Sequence, residues 1–279
     1  MIFDRQGVGG NALPNQGYQR MEIRVLGCYG SQIPGYGLTG FLIDAKTLLD
    51  AGAVTSVLTQ EEQAGVEHIL ITHAHMDHIR ELASLADNIC YLNREDPLTV
   101  VGTPLVIETL KKHIFNGIIW PDFSAIPSTE KPVLRYVAIR PGEKLQLGRL
   151  SVTVVPVNHK VETVAYVVET GQNEDRVAAI FVGDTGPTDE IWRVAGKVDG
   201  IRAIFVETSL PEELRDVAEL SGHLTPAGLA GELEKLGPFD HGIYIYHMKI
   251  QYREKIRREI DLLRIANTHL LQDGQVIRI

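Results

Sequence analysis

Strand-length apolar runs alternate with amphipathic segments along this chain, and that alternation limits the fold more than any other feature. Apolar runs bounded by Gly, Pro or Asp are typical of strands, and they occupy residues 21–28, 40–52, 66–72, 150–157, 161–170, 176–184, 201–208 and 242–247. Amphipathic segments typical of helices occupy residues 53–63, 77–86, 103–115, 188–197, 225–236 and 252–263. Because some strands follow one another directly, hairpins must occur beside crossovers, with helices covering the outer faces.

The length of the chain fits a single elaborated domain. Its 279 residues, 44% of them hydrophobic, suffice for a sizeable core. Residues 21–279 are expected to form one domain, and residues 1–20, rich in Gly, Asn and Gln, a flexible N-terminal arm. The N-terminus lacks the pattern of a secretory signal, and no apolar run reaches the roughly 18 residues of a membrane span. The sequence therefore predicts a cytoplasmic protein without a membrane partner.

The charge balance narrows the class of partner. Lys and Arg number 27 against 36 Asp and Glu, a formal net charge of −9. This argues against nucleic acid as a partner, because nucleic-acid binding draws on a broad basic surface. A small anionic substrate in a local pocket remains compatible with it. Cys28 and Cys90 are too few for a disulfide framework and are expected to be reduced thiols.

A dense group of metal-ligand side chains follows the apolar run at residues 66–72. His73, His75, Asp77 and His78 stand within six residues. In an extended segment His73 and His75 point the same way, and the next two ligands begin a helix and can face a second point. Imidazole and carboxylate groups suit zinc, and also manganese or iron. A His-rich surface loop is the alternative, but the density of ligands favours a metal site.

Further ligand-type residues stand at the ends of later strands. His159, Asp184 and His247 each follow an apolar run, where α/β proteins collect functional groups. Each is a weak signal alone, but together they can complete a two-metal site. Asp50, which ends a strand, is expected to support a ligand or form a turn. The remaining histidines considered show no ligand spacing and are interpreted as structural or solvated: His68, His113, His241 and His269.

These motifs resemble the metallo-β-lactamase-fold hydrolases, whose H-x-H-x-D-H motif is matched by residues 73–78. The resemblance runs from "LGCYGS" (26–31) and "LLDAG" (48–52) through "GDTG" (183–186) to "HMK" (247–249). It implies an α+β four-layer αββα sandwich, with two mixed sheets, helices on the outer faces and two divalent metal ions. Zinc is the metal expected first. The resemblance places one metal on His73, His75 and His159, the second on Asp77, His78 and His247, and Asp184 between them.

Two motifs point to the phosphodiesterase branch of these hydrolases. In the related tRNA 3′-processing endonucleases a glutamate and a histidine of comparable motifs form a proton-donating pair, and Glu207 in "VETS" and His223 in "SGHLTP" match them. Residues 78–89 and 111–127 are similar to bacterial class II cyclic-nucleotide phosphodiesterases. Two positions depart from that class, since Met76 replaces its usual leucine and Glu81 replaces a small residue.

The resemblance implies hydrolysis of 3′,5′-cyclic nucleotides, cyclic AMP first among them, to 5′-nucleoside monophosphates. A hydroxide bridging the metals would attack phosphorus, and His223, oriented by Glu207, would protonate the leaving 3′ oxygen. Asp77 is counted as catalytic as well as a ligand. A Pro-containing loop offers residues for substrate binding, Trp120 and Phe123 by stacking on the base and Asn116 and Asp122 by binding base or ribose. Alternatively, its aromatic pair buries the loop against the core or a partner subunit.

Three other functions stay open on the sequence. An RNA-processing endonuclease of the same fold predicts a long basic arm, which is not found, and fits poorly with the net charge of −9. A lactonase or thioesterase is compatible with the same ligands, because they do not choose between phosphorus and a carbonyl carbon. A non-catalytic metal- or nucleotide-binding module would be favoured by loss of a ligand, yet every expected ligand is present. A homodimer is expected only because twofold assemblies are common.

Overall fold

The strands form two groups, one in each half of the chain. The computed structural model describes residues 21–92 and 94–279, so the arm predicted for residues 1–20 lies outside the described residues. The strands of the first half, with the last strand of the chain, are β1 (Glu22–Gly27), β2 (Gly40–Ile43), β3 (Thr47–Leu49), β4 (His68–Leu70), β5 (Leu98–Gly102), β6 (Leu134–Ala138) and β14 (Val276–Arg278). Those of the second half are β7 (Lys144–Leu147), β8 (Leu150–Val157), β9 (Thr163–Thr170), β10 (Val177–Phe181), β11 (Ile201–Glu207), β12 (Gly242–Tyr246) and β13 (Thr268–Leu270).

The helices connect these strands. They are α1 (Gln60–Gly65), α2 (Met76–Ile79), α3 (Leu82–Cys90), α4 (Pro104–His113), α5 (Glu190–Ala195), α6 (Arg215–Ser221), α7 (Pro226–Leu236) and α8 (Arg253–Leu263). Helix α4 begins with Thr103 capping the backbone N–H of Val106 and with a proline in its first turn, as expected for a helix start. Within the described ranges, no helix combines the length and the apolar character needed to cross a membrane.

Each group of strands forms one seven-stranded mixed sheet. The order is β14-β1-β2-β3-β4-β5-β6 in the first sheet and β13-β12-β11-β10-β9-β8-β7 in the second. Strands β3 to β6 run parallel, and β1 pairs antiparallel with both β2 and β14. In the second sheet β10 to β13 run parallel, while β7, β8, β9 and β10 form antiparallel pairs.

The side chains of β2 show how the layers stack. Phe41 belongs to the core shared by the two sheets, whereas its neighbour Leu42 belongs to the core under α3 and α4. This is the period-two alternation of a strand buried on both faces. The Phe41 ring lies 5.4 Å from the rings of Phe181 and Phe205, which belong to the second sheet. Residues of α5, α7 and α8 also pack with the core of the second sheet. The predicted four-layer αββα sandwich of two mixed sheets is therefore confirmed.

Several predicted elements are divided or shortened. The run 40–52 forms two antiparallel strands, because Asp44 and Ala45 turn the chain with φ of 51° and 58°. The helix predicted over 53–63 contracts to α1, and that over 77–86 is divided into α2 and α3. Strands β13 and β14 have three residues each, too few to show a period in the sequence.

Candidate active site

The predicted ligands lie where strands of both sheets end. His73 follows β4 of the first sheet, while Asp184 and His247 follow β10 and β12 of the second. The Tyr166 hydroxyl of the second sheet donates a hydrogen bond of 2.8 Å to the backbone oxygen of Ile71, next to this edge. Side chains far apart in sequence therefore meet at one edge of the paired sheets.

Three histidines form the first ligand group. Ligand atoms of His73, His75 and His159 all lie within 4.8 Å of one another. Nε2 of His159 is 3.4 Å from Nδ1 of His75. His73 is fully buried and the other two are partly exposed, so this group lies at the solvent side of the site. The structure thus brings together the three residues that the resemblance assigned to one metal.

The second ligand group contains a carboxylate. Ligand atoms of Asp77, His78 and His247 lie within 4.8 Å of one another. Nε2 of His247 is 3.3 Å from Nε2 of His78 and 3.3 Å from Oδ2 of Asp77. A Cβ atom at Gly30 would lie 2.7 Å from Nδ1 of His247, so only glycine at position 30 leaves room for this imidazole.

Asp184 lies between the two groups. Its Oδ2 is 3.3 Å from Nε2 of His78, 3.2 Å from Nε2 of His247 and 3.8 Å from Nε2 of His73. The side chain is 1% exposed. Burial alone would raise the pKa of Asp184, but His247 and His78 outweigh burial and lower it well below its usual value. Asp184 is therefore a buried carboxylate that contacts members of both ligand groups.

The donor atoms of the cluster suit divalent metal ions. Among the described side chains, Nε2 of His73 and Oδ1 of Asp184 are buried and have no hydrogen-bond partner, an arrangement that is costly unless a cation takes their lone pairs. Two nitrogens about 2.0–2.1 Å from one tetrahedral ion lie about 3.3–3.4 Å apart. The separations of 3.3 Å between His78 and His247 and 3.4 Å between His75 and His159 match this value.

The first ligand group also has the protonation state that a metal requires. Burial is the largest cause that lowers the pKa of His73, His75 and His159, and neighbouring imidazoles lower each further. These three side chains are therefore neutral near pH 7. Neutral imidazole is the form that binds a metal, so this group could bind one without first losing protons.

The ligating histidines are oriented by contacts at their other ring nitrogens. Nδ1 of His78 is 2.7 Å from the buried Asp50 carboxylate, and Nδ1 of His159 is 2.8 Å from the backbone oxygen of Gly222. Nδ1 of His247 is 2.9 Å from Oγ of Ser209. Such partners hold a ligand's tautomer and ring orientation. Asp50, predicted to support a ligand or form a turn, contacts a ligand directly.

Two hydroxyl residues of this supporting layer were missed by the sequence analysis. Oγ1 of Thr72 lies 3.0 Å from Nδ1 of His73 and donates to Asp50, and Ser209 contacts His247. Their signal in the sequence is position alone, since Thr72 directly precedes the histidine motif and Ser209 ends "VETS".

Glu207 and His223 form a pair beside the cluster. Nδ1 of His223 is 2.7 Å from Oε1 of Glu207. Glu207 is fully buried, and its carboxylate also accepts hydrogen bonds from the backbone N–H of Thr185 and the hydroxyl of Ser209. Burial alone would lower the pKa of His223, but the charge and hydrogen bond of Glu207 raise it. A ring nitrogen of His223 lies within 4.8 Å of ligand-type atoms of His159 and Asp184.

The structure does not bring the four predicted substrate-binding residues to this cluster: Trp120, Asn116, Asp122 and Phe123. The cluster adjoins the carboxyl end of β4. Leu134 pairs with the first residue of β5, and its backbone N–H donates a hydrogen bond to the backbone oxygen of Phe123. The loop therefore adjoins the amino end of β5. Because β4 and β5 are parallel and α4 runs about 15 Å back along the sheet, the loop lies at the opposite end. Phe123 is buried at 2% exposure, and Asn116 accepts hydrogen bonds from its own loop.

The two departures from the class II pattern lie beside the cluster. The side chain of Met76 is 58% exposed. Glu81 instead accepts hydrogen bonds from the backbone N–H groups of Val54 and Ser56, at 2.6 and 3.1 Å. Its own N–H donates to Ala51, whose N–H bonds the backbone oxygen of His78. Glu81 therefore ties the loop after β3 to the helices that carry the ligands.

A family model and several curated proteins match this chain. Residues 51–251 match the family model described as "cAMP phosphodiesterases class-II". The "3′,5′-cyclic-nucleotide phosphodiesterase 1" of Saccharomyces cerevisiae is 27% identical over 236 residues, which make up 70% of this chain and 62% of that protein. A "Ribonuclease Z" of Clostridium kluyveri is 28% identical over 57% of this chain and 53% of its own length. The chain thus spans about half to three fifths of the length of these curated relatives.

Solved structures share the fold. The structure titled "unliganded yeast PDE1" aligns with a TM-score of 0.78 and 21% identity, covering 93% of this chain and 99% of that one. The "metallo-beta-lactamase fold protein YhfI from Bacillus subtilis" aligns with a TM-score of 0.73 and 16% identity, again over 93% of this chain and 99% of that one. The predicted metallo-β-lactamase fold is confirmed.

Proposed function

Because the chain belongs to the class-II cAMP phosphodiesterase family, we propose that it hydrolyses 3′,5′-cyclic nucleotides, cyclic AMP first among them, to 5′-nucleoside monophosphates. The observation that carries the proposal is the Glu207–His223 pair, 2.7 Å apart, beside two ligand groups that share Asp184. The metal ligands alone serve phosphorus and carbonyl chemistry equally. A separate, held proton donor suits a reaction whose leaving group is an alkoxide.

The proposal includes two divalent metal ions, with zinc as the first choice and manganese or iron as alternatives. His73, His75 and His159 would hold one ion, Asp77, His78 and His247 the other, and Asp184 would contact both. The ligand distances, the unpartnered buried atoms and the all-nitrogen-and-oxygen donor set support this assignment. When bound, such a pair of ions lowers the pKa of water and neutralises charge on phosphoryl oxygens.

The side chains of the protein account for the proton balance. A water oxygen adds to phosphorus, the bond between phosphorus and O3′ breaks, and the proton lost by water is matched by one delivered to O3′. Nδ1 of His223 is occupied by Glu207, so Nε2 is the nitrogen that can hand a proton to O3′. Glu207 retains the imidazole in the orientation and charge state required. A positioned acid of this kind typically contributes about 10²- to 10⁴-fold to the rate.

The ribonuclease Z relatives make RNA processing the second candidate, but charge disfavours it. The chain carries a net charge of −9, and three of the four basic residues of α8 lie within 4.0 Å of an acid. Arg253 lies 3.3 Å from Glu254, and Lys255 is paired with Glu213. These contacts leave α8 a poor site for a phosphate backbone.

A substrate panel tests the proposal. Protein loaded with zinc, manganese or iron would be incubated with cyclic AMP, cyclic GMP, 2′,3′-cyclic AMP, bis-p-nitrophenyl phosphate, a lactone, a thioester and a tRNA precursor. Release of 5′-AMP from cyclic AMP is expected with at least one metal. Turnover of another substrate without turnover of any 3′,5′-cyclic nucleotide would overturn the proposal, and tRNA cleavage alone would establish the second candidate.

A further inference from the structure

A cavity of about 250 Å³ has His223 in its wall. It opens between α6 and α7, and its lining includes Ala218 and Leu224. Pro187, from the loop that follows Asp184, forms another part of the wall. His223 therefore separates this cavity from the ligand cluster and belongs to both.

The helix that forms one wall of the cavity also positions the site. Helix α6 ends at Gly222, whose φ of 74° starts the turn into His223. The backbone oxygen of Gly222 accepts the hydrogen bond from Nδ1 of His159. A single short segment thus places a ligand of the first group, the proton donor and the cavity wall. The cavity therefore adjoins the site through the side chain of His223.

The lining of the cavity combines an apolar floor with two exposed charged side chains, Arg215 and Glu219. Ala218 and Leu224 are each 1% exposed and provide the floor. Arg215 stands at the rim, where Glu212 accepts hydrogen bonds of 3.2 and 2.6 Å from its Nε and Nη2. Glu212 is held in turn by the backbone N–H of Ala227, at 2.6 Å. The guanidinium plane is therefore restrained, and such planes stack on aromatic rings.

We propose that this cavity receives the nucleobase of the cyclic nucleotide, with Arg215 as the stacking residue. The inference rests on the proposed function. There the phosphate lies at the ligand cluster and O3′ faces His223, so the ribose that carries O3′ must lie on the His223 side. The base on that ribose then extends toward the adjoining cavity. An apolar floor beside a guanidinium suits a flat heterocycle, whereas a second phosphate would meet the carboxylate of Glu219, which also lines the cavity.

A substitution at the mouth of the cavity tests the inference. Ala227 is exposed in the first turn of α7 and lines the cavity, so Ala227→Phe narrows it without disturbing the core. The control is Gly231→Phe, one helical turn further along α7, where an added Cβ meets no atom within 4 Å. A second variant, Arg215→Gln, removes the guanidinium of a side chain that is 59% exposed. None of the three positions contacts the ligand cluster.

The readout compares cyclic AMP with the methyl riboside 3′,5′-cyclic phosphate, which has the same phosphodiester and no base. Ala227→Phe and Arg215→Gln should each raise the KM for cyclic AMP about tenfold, since base stacking on a flat side chain contributes about that much to affinity. The KM for the baseless substrate should stay within about twofold, as it should for both substrates in Gly231→Phe. Calorimetric affinity for 5′-AMP should fall in parallel, while that for ribose 5-phosphate is unchanged.

The outcomes separate the two proposals. If the unsubstituted protein turns over neither cyclic phosphate, the proposed function fails. If it turns over both with equal kcat/KM, the function stands and the base cavity is wrong. Equal losses for both substrates in Ala227→Phe and Arg215→Gln would show a structural effect and would also reject the cavity as the base site.

Discussion

Nδ1 of His223 lies 2.7 Å from Oε1 of Glu207, a carboxylate that no solvent reaches. The two residues are 16 positions apart in sequence, on a loop before α7 and at the end of β11. This contact fixes which imidazole nitrogen faces the ligand cluster. In the proposed function it also separates two tasks, since His223 would donate a proton while seven other side chains would hold the metal ions.

His223→Ala should lower kcat for cyclic AMP by about 10²- to 10⁴-fold, because the leaving 3′ oxygen loses its proton source. Metal content per chain, measured by inductively coupled plasma mass spectrometry, should equal that of the parent. His159→Ala is the matched comparison and should lose metal. Loss of metal from His223→Ala would mean that this histidine is a ligand and not the acid.

Glu207→Gln should move the pH dependence of kcat. The active His223 is protonated, so activity is present below its pKa and is lost as the pH rises through it. Burial lowers the pKa of His223 and Glu207 more than offsets burial, so removing the negative charge lowers the pKa. The alkaline limb of the pH profile should therefore shift to lower pH, with part of the rate restored by acidification. An unshifted limb would remove Glu207 from the proton-donating role.

Asp50→Asn should weaken metal binding. The change removes the negative charge that lies 2.7 Å from Nδ1 of His78. Loss of a partner that orients a metal ligand typically reduces the affinity for the metal about 10- to 100-fold. Competition with a chelator would measure the effect, and Asp199→Asn, at an exposed position, is the control. Equal affinities in the two variants would show that Asp50 does not support the ligand.

Glu81→Ala should lower the free energy of unfolding by about 1–3 kcal/mol, since the buried backbone N–H of Val54 would lose its acceptor. Urea denaturation of the metal-free protein would measure this change. Glu81→Gln keeps an acceptor oxygen and should lose less. If the alanine variant is as stable as the parent, the loop after β3 is held by its remaining backbone bonds alone.

Trp120→Ala should leave the KM for cyclic AMP within about twofold of the parent value. Its loop lies at the end of the first sheet opposite the ligand cluster, so no single chain brings this indole to the substrate. Steady-state kinetics at several protein concentrations would check the prediction. A KM that rises in the variant would indicate that the loop reaches the site of a second subunit.

The chemistry of the ligand cluster could be predicted from the sequence because it depends on residue type at strand ends. His73, His75, Asp77 and His78 are adjacent in the chain, and a strand followed by a helix leaves them few ways to point. The four-layer fold was predicted from the resemblance of these motifs to metallo-β-lactamase-fold hydrolases, whereas the alternating apolar runs indicated only hairpins, crossovers and helices on the outer faces. The separation of the run 40–52 into two strands could not be predicted, because it depends on two residues that accept positive φ.

Other features depend on contacts between segments that are distant in sequence. The position of the loop containing Trp120 follows from the parallel pairing of β4, β5 and β6 and from the direction of α4, which residue types in the loop do not encode. The cavity beside His223 arises where α6 meets α7, and Glu81 acts on a loop 25 to 27 residues away. The sequence by itself determined which side chains are candidates for binding metal and, through the family resemblance, for donating a proton. Only the tertiary structure decided which surfaces adjoin them, because those distances depend on strand pairing and helix packing across the whole chain.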